Sequence, residues 1–177
     1  PPGPPKFVLE EAAELLLSAK RPLMLCGRIA RNEKAWNERI KLAEMLGAKA
    51  IANSLQEIGF PSTHPLFVGM SGFFVNNLRD AFDEADVVLG LDWFDLGGTL
   101  NGAWNGGAIK SKVISCSMDF HQHRGWVKDH GVLPPIDVSV PTTPEAFICE
   151  LLPIIEKAVE VKLYSIPKPE AREVRKS

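Results

Sequence analysis

Asp119, His121, His123 and His130 lie within a dozen residues of one another and are the first candidates for metal chemistry. Histidines at i and i+2 share a side only on a strand, and this stretch adds Arg124 and Gly125 but no cysteine or well-spaced carboxylate, which suits a zinc site poorly. Asp119 fits a different role, because an acid at a strand end commonly holds a ribose hydroxyl. Upstream, Gly27-Arg28 and Arg31 follow an apolar run, where helix amides and an arginine could hold a pyrophosphate. A single glycine stands there in place of the three of a dinucleotide fingerprint, so a solvated arginine pair is the competing reading. From Gly90 to Gly107 the chain carries Gly90, Gly97, Gly98, Gly102, Gly106 and Gly107 beside Trp93, Phe94, Leu96, Leu100 and Trp104. Such a loop could cradle a cofactor or meet another domain. Its apolar side chains outnumber its phosphate-binding groups, which favours the contact, with Asp92, Trp93 and Trp104 on a face against neighbouring domains. Asp92 and Asp95 also read as turn and cap residues. The sequence has no G-x-S-x-G elbow, no P-loop and no convincing acid–base pair.

These residues need a scaffold, and the apolar pattern supplies one. Val87 to Gly90 is an uncharged run suited to a strand buried on both faces of a parallel sheet. Further strands are expected at Leu23–Cys26, Ala48–Asn53, Lys112–Met118 and Ile136–Val140. Helices come between them. One carries Val8, Ala12, Leu15, Leu16 and Ala19; another, capped by Asn32 and closed by Gly47, carries Trp36, Ile40, Ala43 and Leu46. A third, capped by Ser71, carries Phe74, Leu78, Ala81, Phe82 and Ala85. The last opens at Thr143-Pro144 and carries Phe147, Leu151, Ile154, Ile155 and Ala158. Residues 54–70 read as a long irregular connection. Strands alternating with helices predict an α/β fold, a Rossmann-like doubly wound parallel sheet with helices on both faces. Ligands of such sheets sit at the carboxyl ends of the strands, where Gly27, Gly90 and Asp119 fall.

Composition narrows the function classes. The 177 residues are 45% hydrophobic and carry a net charge of −2 with interspersed signs, so no face attracts nucleic acid or anionic lipid. No apolar run approaches the roughly 20 residues a bilayer span needs, and the proline-rich start lacks the core of a signal peptide. Cys26, Cys116 and Cys149 are odd in number and widely spaced in apolar segments, as expected of reduced, buried thiols in the cytoplasm. Residues 1–7 and 163–177 read as linkers around one domain over 8–162, a piece of something longer.

Residues 8–160 resemble the central domain of thiamine-diphosphate-dependent enzymes, most closely the acetolactate-synthase-like branch. The landmarks are Arg21-Pro22-Leu23-Met24-Leu25-Cys26-Gly27, Leu42-Ala43-Glu44-Met45-Leu46-Gly47-Ala48, His64-Pro65-Leu66-Phe67-Val68-Gly69-Met70, Ala85-Asp86-Val87-Val88-Leu89-Gly90, and Lys112-Val113-Ile114 leading to Asp119. The resemblance implies a six-stranded sheet between a pyrimidine-binding and a pyrophosphate-binding domain of a homo-oligomeric parent. That parent would act on 2-keto acids with thiamine diphosphate and Mg2+. Some members bind FAD or an adenine nucleotide, ADP or a CoA adenine, in this domain, and others leave it as scaffold. The nucleotide-contacting positions would be Gly27 and Arg28, Gly69, Met70, Ser71, Gly72 and Phe73, Gly90 to Asp95 with Asp92 among them, Ser117 to Asp119, and Thr142 with Thr143. Several depart from the FAD-binding pattern. Leu91-Asp92-Trp93-Phe94-Asp95 replaces Gly-x-Arg-Phe-Asp, which brings an acid where a phosphate would want a base. Ser117 replaces the first acid of Asp-x-Asp, and Thr142-Thr143 replaces Gly-Asp. The Gly-Asp-Gly and following Asn that hold magnesium and diphosphate are missing, so this segment is expected to be inert alone. A sirtuin-like NAD-dependent deacylase of similar fold would need a glycine-rich NAD loop with a catalytic histidine, and no histidine here has that setting.

Overall fold

A computed structural model describes residues 2–56, 58–71, 78–119 and 134–164. Six strands, β1 (Pro22–Cys26), β2 (Lys49–Asn53), β3 (Phe67–Ser71), β4 (Val87–Leu91), β5 (Lys112–Cys116) and β6 (Val138–Val140), form one parallel sheet in the order β3-β2-β1-β4-β5-β6. The doubly wound expectation holds. Helices α1 (Lys6–Ser18), α2 (Glu33–Leu46) and α5 (Pro144–Tyr164) cover one face, and α3 (Arg79–Glu84) and α4 (Leu96–Ala103) cover the other. Strand alternation splits the core between them: Met24, Cys26, Leu89 and Ile114 face the first layer, Leu23, Leu25, Val88 and Val113 the second.

Local chemistry explains most boundaries. Asn32 caps α2 by accepting from the Ala35 amide at 2.8 Å, and Gly47 ends it with φ +63°. Its buried stripe is Ala35, Arg39, Leu42 and Ala43, rotated from the expected one, with Trp36 and Ile40 half-buried. Thr143 lies before α5 and its hydroxyl accepts from the Ala146 amide at 3.4 Å.

Three expectations are corrected. Residues 67–71 belong to β3, an edge strand, not to an irregular connection. Ser71 is therefore a buried strand residue rather than a helix cap. β3 follows Pro61 and Pro65, carries Gly69 at its centre and leaves Val68 and Met70 exposed, so it lacks the continuous apolar run that marks the central strands. Within Gly90–Gly107, Leu96–Ala103 is helical: Asp95, itself at φ +51°, accepts from the Gly98 amide at 3.2 Å, and Leu96, Leu100 and Ala103 are buried. Finally, Trp93 and Trp104 are not displayed to a neighbouring domain. They are 6% and 8% exposed, within the core beneath α3 and α4. The Trp93 indole N–H donates to the Thr99 hydroxyl at 2.7 Å, and Trp104 meets Phe82 edge-on at 5.8 Å.

Candidate functional site

The strand order reverses between β1 and β4, the switch point where open α/β sheets hold their ligands. The structure brings Gly27 and Arg28 from the end of β1, Asp92 from the end of β4, and Ser117 and Asp119 from the end of β5 together there. Arg28 donates from Nη2 to Asp92 Oδ1 at 2.8 Å and to Asp119 Oδ2 at 2.5 Å. The Ser117 hydroxyl donates to the same Asp92 oxygen at 2.6 Å and accepts from the Asp119 amide at 3.0 Å. The guanidinium also sits 5.9 Å from the centre of the Phe94 ring. Partial burial works to lower the Arg28 pKa, but the hydrogen bonds and charges of the two carboxylates outweigh it, and the net shift is upward. Arg28 is thus a fixed cation with its own counter-ions, not the solvated arginine the sequence suggested.

Backbone groups at this end are equally committed. Cys26 pairs with Leu91, and the ladder then runs on: Gly27 N–H donates to Leu91 O and Arg28 N–H to Asp92 O, both at 3.0 Å. A Cβ on residue 27 would stand 2.3 Å from Asp92 O and 2.6 Å from Trp93 Cα. Glycine is required because backbone, rather than ligand, crosses over it. The Ala30 amide donates to the Glu145 carboxylate at 2.5 Å, and the buried Thr142 hydroxyl donates to Pro2 O at 2.8 Å. An FAD or ADP pyrophosphate needs free amides and a cation, and among the described residues the Arg28 side chain and these amides are already matched within the chain, which does not fit one.

The other predicted positions fall elsewhere. Gly90 lies inside β4, where an added Cβ would meet Leu96 Cδ2 at 3.3 Å. Gly69, Met70 and Ser71 are on β3, separated from β1 by β2, with Met70 53% exposed and Gly69 at φ +154°. Gly72, Phe73, Phe74 and the histidines at 121, 123 and 130 lie outside the described residues. Among the described residues, no three His, Cys, Asp or Glu side chains are grouped to hold a metal, and no helix is long and apolar enough to cross a membrane. Burial pushes the Cys26 thiol up to about 12 and raises that of Cys116, whereas Cys149, expected to be buried, is exposed on α5.

Sequence reasoning missed two residues. Glu145 ties α5 to the β1–α2 loop, and its place in a helix's first turn gave no such signal. Arg39 is 1% exposed, donates from Nε to Gly59 O at 2.7 Å and from Nη1 to Ala35 O at 3.2 Å, and lies 5.5 Å from the Trp36 ring centre. Its spacing with Ala35, Leu42 and Ala43 at i, i+4, i+7 and i+8 is the sign that it faces inward.

Comparison with known proteins identifies the fold's relatives. Solved structures that align include benzoylformate decarboxylase from Polynucleobacter necessarius, with a TM-score of 0.63 and 23% identity over 86% of this chain and 27% of that one. A putative thiamin diphosphate-dependent enzyme from Mycobacterium smegmatis aligns with a TM-score of 0.62 and 21% identity over 97% of this chain and 30% of its own. Among curated proteins, the sulfoacetaldehyde acetyltransferase of Rhodobacter capsulatus is 37% identical over 93 residues, 51% of this chain and 15% of the relative. That of Alcaligenes xylosoxydans is 37% identical over 84 residues, 47% of this chain and 14% of the relative. The chain therefore spans about one seventh of the curated relatives it matches. The model of the thiamine pyrophosphate enzyme central domain matches residues 9–129, and the chain belongs to that family.

Proposed function

We propose that this chain is the scaffolding middle domain of a larger cytoplasmic enzyme that uses thiamine diphosphate and Mg2+ to decarboxylate, ligate or transfer the acyl part of a 2-keto acid. The observation that carries the reading is the family match over residues 9–129 in a chain without the Gly-Asp-Gly and Asn motif for the cofactor diphosphate. The cofactor supplies the carbanion chemistry, and the protein's part here is to space and brace the pyrimidine-binding and pyrophosphate-binding domains. Shape supports this. Pro2 is held at Thr142 on the carboxyl side of the sheet, while α5, at 21 residues, runs about 30 Å to the amino side.

A second reading concerns the reaction. The curated relatives, 37% identical over 84 to 93 residues, are named acetyltransferases, which favours an acyl-transferring parent. The family assignment replaces the NAD-dependent deacylase alternative. The test is to express the intact parent and follow carbon dioxide release and acyl transfer with pyruvate, benzoylformate and sulfoacetaldehyde. Turnover that depends on added thiamine diphosphate is expected from the parent and none from the 177-residue chain. Activity of this chain alone, or turnover indifferent to thiamine diphosphate, would overturn the proposal.

A further inference from the structure

We infer that Arg28, Asp92 and Asp119 form an internal latch that closes the crevice between β1 and β4 to adenine nucleotides, the two carboxylates standing where a bound phosphate would otherwise neutralise the arginine. The inference deepens the scaffolding reading and rests on it for its purpose, though its geometry stands alone.

A switch-point crevice exists because the loops leaving adjacent strands diverge and expose amides between them. Here they stay zipped: two further N–H···O bonds, Gly27 to Leu91 and Arg28 to Asp92, extend the β1–β4 ladder beyond Cys26. The Asp92–Trp93 backbone then occupies the space over Gly27 that a ligand would take. Among the described residues, three amides beside the latch have internal acceptors: Ala30 N–H has Glu145, Gly98 N–H has Asp95, Asp119 N–H has Ser117. Electrostatics points the same way. One guanidinium faces two carboxylates, so an incoming phosphate would meet net negative charge at close range.

The latch also has a mechanical consequence. Its bonds join residues 64 and 91 positions apart in the chain, and Ser117 adds a third bond to the same Asp92 oxygen. Three loops that a nucleotide would hold together in a binding member are held together by side chains in this one.

Calorimetric titration of the intact parent protein with ADP, FAD and CoA tests the closure directly. No binding is expected up to about 1 mM, the weakest affinity such a titration reads at about 4 kcal/mol. Micromolar binding of any of the three would overturn the latch, and its loss in Arg28→Met would make Arg28 a nucleotide ligand instead. A double-mutant cycle of Arg28→Met with Asp92→Asn, read by urea unfolding, is expected to show coupling of about threefold or more in the unfolding constant. Strictly additive effects would also overturn it. The outcomes separate from those of the parent assay: nucleotide binding would leave keto-acid turnover untouched, and absent turnover would leave the latch standing.

Discussion

The carboxyl end of the sheet and the cleft between α3 and α4 treat their polar groups in opposite ways. At the carboxyl end, the Gly27, Arg28, Ala30 and Asp119 amides and the Arg28 side chain all meet acceptors. Between α3 and α4, a cavity of about 310 Å³ is lined by Arg79, Asp83, Ala103, Trp104, Asn105 and Lys110. There the buried Nε of Arg79 and Nε1 of Trp104 have no hydrogen-bond partner among the described residues. An unmatched buried donor costs about 1–3 kcal/mol, so the cleft survives on carbon burial around Phe82 and Leu100 rather than on polar pairing. At the β1–β4 switch point the named donors are matched, and the unmet donors of Arg79 and Trp104 lie away from it, although Gln56 Oε1 in the turn after β2 also lacks a partner among the described residues.

The largest effect that could break this contrast is expected at Gly27. Gly27→Ala puts a methyl within 2.3–2.6 Å of the Asp92–Trp93 backbone, which cannot yield without opening the extended ladder. A loss of about 3 kcal/mol or more is expected in urea denaturation. Gly90→Ala is the control, because its methyl would meet only the end of the Leu96 side chain, at 3.3 Å, and about 1 kcal/mol is expected. Equal losses would mean that the crossing over Gly27 is loose and the closed end is not closed.

Next in size is Trp93→Phe. It removes the 2.7 Å bond to Thr99 and leaves that buried hydroxyl without its donor, a loss of about 1.5–2 kcal/mol by thermal or urea unfolding. A negligible loss would show that the pairing at this end adds nothing over carbon burial.

Much of this could be foreseen from the sequence, and what could not has identifiable causes. Continuous runs such as Val87–Leu91 leave little choice but a buried strand, and Asn32 and Gly47 bracket α2 by cap chemistry alone. The segment Leu96–Ala103 contains Gly97, Gly98 and Gly102, which intrinsic propensity rejects as helix, yet buried Leu96 and Leu100 and the Asp95 cap impose one. That tertiary override also turned two core tryptophans into apparent surface groups. The Arg28–Asp92–Asp119 cluster was half legible: each residue was placed at a strand end, but which ends lie side by side depends on a strand order that no local pattern encodes.

The amino end of the sheet sharpens the contrast by a smaller margin. Asp86 accepts from the Lys20 and Arg21 amides at 2.7 and 3.0 Å, and Asp137 accepts from Lys112 Nζ and the Val113 amide, each at 2.8 Å. Burial works to raise the Asp86 pKa but the backbone amides outweigh it, while the Lys112 hydrogen bond leads in lowering that of Asp137. Both carboxylates are therefore depressed when folded. Their stabilisation is present above the ordinary carboxylate pKa of about 4 and fades as pH falls through it towards the folded value. Because Asp137 is exposed and Asp86 only half-buried, the loss is expected to stay below about 1 kcal/mol each. Unfolding followed from pH 6 to 2 in Asp86→Asn with Asp137→Asn should show a flatter slope than the parent sequence; an unchanged slope would remove these two acids from the account.

The smallest expected effect is the most discriminating. Trp104→Phe deletes a buried N–H that has no acceptor among the described residues, so it removes a penalty along with some carbon packing. The edge-on contact with Phe82 can persist with a phenyl ring, and part of the lost volume opens towards a cavity that already exists. The two terms nearly cancel, and a change within about 0.5 kcal/mol, of either sign, is expected. Trp93→Phe is nearly the same chemical change on the same face of the sheet, beneath the same helices, and differs chiefly in having Thr99 to lose. If Trp104→Phe costs as much as Trp93→Phe, the indole N–H of Trp104 has a partner in solution, and the cleft is as well matched as the latch.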